Sequence, residues 1–517
     1  MPSRKRQDPS SRNSSVTDRL NRAEGANALG FDHSYARLGA AFSTPKPLDP
    51  VSEPQLLLWN QNLADTLGWS GDPHSDTAQL AALAGNTPMP DSQPIATVYA
   101  GHQFGQYNPQ LGDGRATLLG EWLTPAGARF DIQLKGAGPT AYSRGGDGRS
   151  PIGPVIREYL VSEAMHALGV PTTRALAAVA TGEPVVRNQI EPGAILTRVA
   201  SSHLRVGTVQ YFAMTRGGDD VATLVDYVVD RHFSTAAEAS DQPAAVTLLE
   251  GVCEHFARLV AHWQVLGFVH GVLNTDNALL CGQTIDYGPC AFMDHFDPRA
   301  CFSSIDRQGR YAWPNQPGIM HWNLAVLAEC LLPLINEDAD AARQGAQEIV
   351  DRYPSRFHAH HQRWLAAKLG LDAVTEADGP LIQSFHDLLA NESLDVTLAF
   401  RWLAELANDS LDHTPLPDLF TAPPALLSWA DDWQTRRKAN KGDTSAITTA
   451  LYSVNPTIIP RNHLVQKAID LTESGELAWV KALVDRGRRP FEWQDGDVEW
   501  ARSPEPEERV TRTFCGT

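Results

Sequence analysis

No two cysteines in this chain stand in a C-x-x-C arrangement, and its 517 residues hold only six: Cys253, Cys281, Cys290, Cys301, Cys330 and Cys515. Neither a zinc site nor a disulfide framework is indicated. Five read as small apolar fillers, whereas Cys515 falls third from the end on a tail expected to be mobile and exposed. Positive charge is also in deficit: 43 basic against 61 acidic residues leave a net charge of −18. That disfavours non-specific binding to nucleic acid or anionic lipid, although a nucleotide needs only a few local cations. No apolar run approaches the length of a bilayer span, so no membrane segment is expected. The opening MPSRKRQDPSSRNSSVTDRLNRAEG lacks the apolar core of a secretory signal, and Asp8, Asp18 and Glu24 argue against a mitochondrial transit peptide. The expectation is a disordered head on a cytoplasmic bacterial protein, mitochondrial only in a eukaryote. Internal repeats and long low-complexity linkers are missing too. What is present, 42% hydrophobic and 20% charged residues, is ordinary for a globular chain able to bury one large core or two to three smaller ones.

Residues 116–135 read as a hairpin, ATLLGEWL and ARFDIQLK joined by TPAG. In the second strand Phe130, Ile132 and Leu134 alternate with Asp131, Gln133 and Lys135, the period of a half-buried strand. A helix comes next over about 154–168, with Val155, Tyr159, Met165 and Leu168 near one face and a stop at Gly169. GAILTRVA, 193–200, reads as a further strand. From about residue 222 the pattern turns to long helices. Val252, Phe256, Leu259, Val260, Trp263 and Leu266 form one apolar stripe that ends at Gly267. MHWNLAVLAECLLPLI and much of 340–480 also read as helix. Strands first and helices second suggest an α+β chain of two lobes with a cleft between them.

The chemistry-bearing residues cluster in four places. Gly112-Asp113-Gly114-Arg115 and Gly146-Asp147-Gly148-Arg149 are two copies of GDGR. Glycines let backbone amides converge on an anion and an arginine adds charge, yet each copy alone is equally a turn. Lys135, ending a strand and followed by a helix bearing Glu158, matches the kinase ion pair that holds a lysine against phosphate, and equally a solvated lysine beside a surface glutamate. HGVLNTDNALLCGQTIDYGP, 270–289, is the most specific. His270 and Asn277 keep the spacing of a phosphotransferase catalytic loop, but Val272 stands where such a loop carries its aspartate. Asn277 and Asp286 are hard oxygen ligands suited to Mg²⁺ or Mn²⁺ on a triphosphate. Asp276 supplies the carboxylate that Val272 does not, and can take a proton from an attacking hydroxyl. By spacing alone Arg198 and Arg205 could be surface arginines. The HAHH at 358–361 lacks a partner cluster for a metal.

Four stretches, YAGHQFGQYNPQLGDGRA (99–116), QLKGAGPTAYSRGGDGRSPIGPVIREYL (133–160), TRVASSHLRVGTVQYF (197–212) and HGVLNTDN…TIDYGP (270–289), together with NPTIIPRNHLVQKAI (455–469), resemble the selenoprotein O family. The resemblance runs from about residue 28 to the C-terminus, with Cys515 where eukaryotic members carry selenocysteine. It implies a protein-kinase-like fold whose members transfer AMP from ATP to Ser, Thr or Tyr hydroxyls of proteins, with bacterial members also implicated in using UTP and Mn²⁺. ATP would lie flipped, its γ-phosphate buried and its α-phosphate toward the acceptor. The family's proton acceptor falls on Asp276. Its metal ligands fall on Asn277 and Asp286, the latter also contacting nucleotide. Its nucleotide-binding positions fall on Gly112, Gly114, Arg115, Lys135, Asp147, Gly148, Arg198 and Arg205, and Glu158 is the ion-pair partner of Lys135. The family's terminal cysteine is usually followed by two serines, here by Gly516 and Thr517. A reversible Cys301–Cys515 disulfide across the cleft is a further expectation.

The domain expectation is a polar head over 1–25, a nucleotide-binding lobe over 26–221, a helical lobe over 222–500 and the tail over 501–517. Two alternatives stand against AMP transfer. A kinase for small molecules or proteins is opposed by Val272. A catalytically inactive pseudokinase serving as a binding module is opposed by retention of Lys135, Glu158, Asn277 and Asp286. Neither nucleic acid nor membrane is expected among the partners.

Overall fold

The computed structural model describes residues 30–408, 410–441 and 443–514; the polar head expected over 1–25, and Cys515, lie outside them. Its strand-rich half contains β1 (Gly30–Asp32), β2 (Ser43–Pro45), β3 (Gln55–Trp59), β4 (Ile95–Thr97), β5 (Gly101–Gln103), β6 (Gln106–Asn108), β7 (Ala116–Leu123), β8 (Arg129–Lys135), β9 (Arg174–Val186) and β10 (Ile190–Ala200). An antiparallel sheet runs in the order β2-β4-β7-β8-β10-β9-β3, with β1 also paired to β7. The predicted hairpin is β7–β8, with Ala116 opposite Lys135 and Leu123 opposite Arg129. The strand predicted at 193–200 is the second half of β10.

The period-2 pattern of β8 is observed, but its polar face is not wet. Ile132 and Leu134 pack with Leu176, Val179 and Ile195 in an apolar layer. On the opposite face Asp131, Gln133 and Lys135 are buried as well. Each meets a partner from elsewhere: Asp131 takes Arg231 at 2.6 Å, Gln133 takes Arg198 at 3.1 Å and Lys135 takes Glu158 at 2.5 Å. The half-buried strand expected from alternation is a fully buried one, because charge on the second face is matched by charge rather than by water.

The helix expected at 154–168 is α1 (Ile152–Ala167), which starts after Pro151 and carries Glu158. It is buried almost all round, lying between β9 and β10 on one side and the helices Asn462–Glu473 and Ala478–Gly487 on the other. The helical half opens with α2 (Val206–Thr215), α3 (Gly218–His232) and α4 (Ala244–Leu266). The stripe from Val252 to Leu266 is the buried face of α4, and Gly267 closes the helix in the left-handed conformation at φ +67°. Next come the two-stranded β11 (Phe268–Val269) and β12 (Ala291–Phe292), which bracket the 270–289 loop, and then α5 (Gln316–Ile335). One helical segment, Trp313–Ile335, is long and apolar enough to cross a membrane, which the sequence pattern did not suggest. Met320, Leu324, Leu327 and Leu331 on it are buried in the same core as α4. The chain is therefore α+β, a sheet-rich first half and a helical second half.

Candidate active site

Where the two halves meet, a cavity of about 650 Å³ is lined by both GDGR copies, the end of β8, the turn after β9, two arginines around β10 and the 270–289 loop. Every residue expected at the nucleotide or metal lines it: Gly112, Gly114, Arg115, Lys135, Asp147, Gly148, Arg198, Arg205, Asp276, Asn277 and Asp286. Glu158 stands directly behind.

The cationic wall is set by strand register. Lys135 and Gln133 share a face of β8, and Arg198 on β10 lies opposite Gln133. Glu158 receives Lys135 Nζ on one oxygen at 2.5 Å and Arg198 on the other at 2.5 Å. Burial would raise the Glu158 carboxyl, but Arg198 and Lys135 outweigh it and hold the group below its usual range. Burial dominates for Lys135 and Arg115, whose pKa values are lowered. Arg205 leans over Tyr99 at 4.2 Å and donates to the backbone oxygen of Asp276 at 2.9 Å, which ties the wall to the catalytic loop.

The 270–289 loop shows what replaced the missing aspartate. Val272 is buried, and its side chain does no chemistry. Its amide donates to His270 Nδ1 at 3.3 Å, and its carbonyl accepts from Asn277 Nδ2 at 3.0 Å. Any side chain offers those backbone groups. His270 Nε2 meets the carbonyl of Ile285 at 2.9 Å, and burial lowers its pKa, so the ring is a neutral brace. Asn277 Nδ2 lies 3.2 Å from Asp286 Oδ2. Asp286 has a left-handed backbone, φ +67°, costly for a residue with a Cβ and typical of a functional turn. Burial would raise its carboxyl, yet Lys135, Arg115 and Arg198 together hold it low, and so ionised.

Asp276 differs. Burial pushes it up to about 6; among the described residues its buried Oδ1 has no hydrogen-bond partner, while Oδ2 accepts from Gln103 Nε2 at 3.2 Å. A Cβ on Gly101 would lie 2.6 Å from Oδ1, so only glycine lets β5 approach this carboxylate. An ionisable group poised near neutrality, with few hydrogen bonds to its carboxylate, is suited to take a proton.

Asp147, awkward as an acid among phosphate-binding residues, grips Arg187 at 2.8 and 3.0 Å. Arg187 also donates to the carbonyl of Arg149 at 2.8 Å, so it ties the second GDGR to the β9–β10 turn. Arg187, Gln103, Tyr99 and Arg144 line the cavity too and were not singled out from sequence. The signal for Gln103 was present: YAGHQFGQYN is a short alternating hairpin. For Arg187 it was a lone arginine between two strand runs.

Cys301 is half-buried, its thiol pushed up to about 11 by burial and by Asp306. The final described residues run beside it. Thr513 donates its amide to Phe302 O at 2.8 Å and its hydroxyl to Pro289 O at 2.5 Å, and Ser304 donates to Thr513 O at 3.0 Å. Among the described residues no cluster of His, Cys, Asp and Glu suits a metal on its own, the HAHH included.

Comparison with known proteins gives the same direction. The protein nucleotidyltransferase YdiU of Rhizobium leguminosarum bv. trifolii is 47% identical over 504 residues, 97% of this chain and 100% of the relative. Those of Rhizobium meliloti and Alkalilimnicola ehrlichii are each 49% identical, over 95% and 94% of this chain and 100% and 98% of theirs. The family described as protein adenylyltransferase SelO matches residues 26–488. The chain belongs to the SelO family of protein adenylyltransferases, nucleotidyltransferases by family and by relatives.

Proposed function

We propose that this enzyme moves AMP from ATP onto Ser, Thr or Tyr hydroxyls of proteins, with Asp276 as proton acceptor and the two halves as lobes of a protein-kinase-like fold. The observation that carries the reading is the Asp276 carboxylate on the wall of a cation-lined cavity, its Oδ1 without a hydrogen-bond partner among the described residues, with Val272 buried where a kinase keeps its base.

In this reading Arg115, Lys135, Arg198 and Arg205 hold the triphosphate, and the amides of Gly112, Gly114 and Gly148 cradle it. Asp147 acts through Arg187 to keep the second GDGR closed on the nucleotide. The acceptor oxygen attacks the α-phosphorus, its proton passes to the Asp276 carboxylate, and the bond to the pyrophosphate oxygen breaks. Asn277 and Asp286 fit a hard divalent cation, Mg²⁺ or Mn²⁺: their side chains are in hydrogen-bond contact on the cavity wall, each has an oxygen to offer (the amide oxygen and the carboxylate), and Asp286 is held ionised. Such a cation neutralises phosphate charge and polarises the phosphoryl group when bound. Cys301 and Cys515 as a reversible pair belong to the same proposal, tested by non-reducing peptide mapping of the oxidised protein.

The decisive experiment supplies ATP labelled on the α- or the γ-phosphate to the protein, Mg²⁺ or Mn²⁺ and a cell lysate. Protein-bound label is expected from α alone. Asp276→Asn should lower it by about 10²–10⁴-fold, the usual worth of a general base, and Asp286→Ala should abolish it. Label from γ would overturn the reading in favour of a kinase. The broader name of the relatives, nucleotidyltransferase, favours a parallel arm with α-labelled UTP.

A further inference from the structure

Gln103, the residue that meets Asp276, stands one position before a costly turn. The β5–β6 register, with Gln103 opposite Gln106, leaves a two-residue turn at Phe104-Gly105. Both turn residues have positive φ, +52° and +79°, the type I′ conformation that normally selects Asn and Gly. A phenylalanine keeps that conformation only where its surroundings over-determine it. A triangle of hydrogen bonds does so here. The Phe104 amide donates to the Tyr311 hydroxyl at 3.0 Å and to Asn274 Oδ1 at 3.2 Å. The Tyr311 hydroxyl donates to the same Asn274 oxygen at 2.5 Å. Three stretches far apart in the chain are thereby joined: the hairpin, the catalytic loop and the segment that ends at Tyr311. That segment is itself fixed, because the Asp306 carboxylate accepts from the amides of Arg310 at 3.0 Å and Tyr311 at 2.7 Å. The Tyr311 ring is buried and meets Phe104 edge to face, 5.1 Å between centroids. On the other side of Gln103 the His102 amide donates to Thr275 Oγ1 at 2.7 Å. Gln103 therefore hangs between two anchors on the catalytic loop, and from there its Nε2 donates to Asp276 Oδ2 at 3.2 Å.

We propose that Tyr311 is a positioning residue for the transfer: its hydroxyl pins the strained turn to Asn274 and so keeps Gln103 on Asp276. Tyr311 is not among the residues that line the cavity, whereas Gln103 and Asp276 both are, so it acts through the hairpin and not on the nucleotide. A phenylalanine at 311 would keep the packed ring, and Asn274 Oδ1 would still accept from the Phe104 amide, so no buried acceptor is stranded. The turn would nevertheless lose half of what holds its amide and relax toward an unstrained φ, carrying the adjacent Gln103 with it. This rests on Asp276 as proton acceptor, proposed above.

The test uses the full-length protein, α-labelled ATP with Mg²⁺, and the cell lysate as acceptor. Tyr311→Phe should lower the rate at saturating ATP about 10–100-fold, the effect of a small misplacement at a reacting group, and leave KM for ATP and the melting temperature unchanged. Gln103→Ala should lower the rate as well, and the double variant should fall no further than the slower single one, because both remove one arrangement. Phe104→Asn suits the turn without the triangle, and should restore most of the rate to Tyr311→Phe. Tyr353→Phe is the control: that tyrosine is equally buried, and its hydroxyl has no partner among the described residues. Its rate should match wild type. A second measurement needs no turnover. Amide hydrogen exchange across 101–108, read by mass spectrometry, should be faster in Tyr311→Phe and unaltered in Tyr353→Phe. Unchanged exchange, additive losses in the double variant, a wild-type rate for Tyr311→Phe or no rescue by Phe104→Asn would each overturn the proposal. Full transfer by Asp276→Asn would overturn the proton acceptor and this role with it, even with faster exchange in Tyr311→Phe, so the two failures are told apart.

Discussion

The same four residues, Gly-Asp-Gly-Arg, occur twice beside one cavity and are used in different ways. In the first copy Asp113 is buried and committed to structure: its Oδ2 accepts from the Thr97 amide at 3.0 Å and the Thr97 hydroxyl at 2.6 Å. Its arginine, Arg115, stands at the entry to β7 and lines the cavity. In the second copy the roles are exchanged. Asp147 is exposed and holds Arg187, while Arg149 is committed to structure, 3.0 Å from Asp49 and 3.7 Å from Glu183. The segment that leads into the second copy touches the first, since Thr140 Oγ1 donates to Asp113 O at 2.7 Å and Ser143 Oγ to the carbonyl of Gly114. What separates them is the element that each one enters. The first runs into a central strand and is pulled inside. The second precedes α1 and stays at the rim. A tetrapeptide does not carry its function with it; its neighbours in the chain assign it.

The arginines should show the contrast most strongly. Arg115→Met is expected to cut transfer by about 100-fold through lost charge-assisted bonds to phosphate, with a small change in melting temperature. Arg149→Met should do the reverse, lowering the melting temperature with only a modest loss of rate. Equal kinetic losses would break the comparison.

The glycines come next. A Cβ on Gly148 would sit 2.1 Å from the Gly138 carbonyl carbon, at φ +66°, whereas one on Gly146 meets nothing nearer than Ser143 O at 3.1 Å. Gly148→Ala should therefore cost about 2–4 kcal/mol of stability and Gly146→Ala close to nothing, by chemical denaturation.

The aspartates give the smallest effects. Asp113→Ala leaves two buried donors on Thr97 unmet and should cost about 1–3 kcal/mol. Asp147→Ala breaks an exposed pair and should cost at most about 1 kcal/mol, while raising KM for ATP. The Asp147 carboxyl is held below its ordinary 3.8, chiefly by hydrogen bonds from Arg187. A lowered acid pKa means that the unfolded chain binds the proton more readily. Its contribution is thus complete above about pH 4 and fades as pH falls through the lowered value. The difference in melting temperature between wild type and Asp147→Ala should be constant from pH 5 to 8 and vanish in stronger acid.

Much of the site was legible in the sequence because its carriers are local. Lys135 ends a strand whose partner is eight residues long, Glu158 is one helix further on, and 270–289 is contiguous. The residues that escaped act over distance in the chain: Gln103 meets Asp276 across 173 positions and Arg187 meets Asp147 across 40. No period or motif encodes such contacts. Alternation in β8 gave the correct strand and the wrong surroundings, because a polar face matched by Arg198, Arg231 and Glu158 has the same spacing as one that faces water.

The strap from Thr513 to the carbonyl of Pro289 bears on timing. Pro289 comes just after the Asp286 turn, and the residue that braces it lies 224 positions further along the chain. A ribosome that has synthesised both arms of the reactive cleft therefore still withholds the strap that completes the loop between them. The brace on the carbonyl of Pro289 is among the last contacts of the cleft that a growing chain can make.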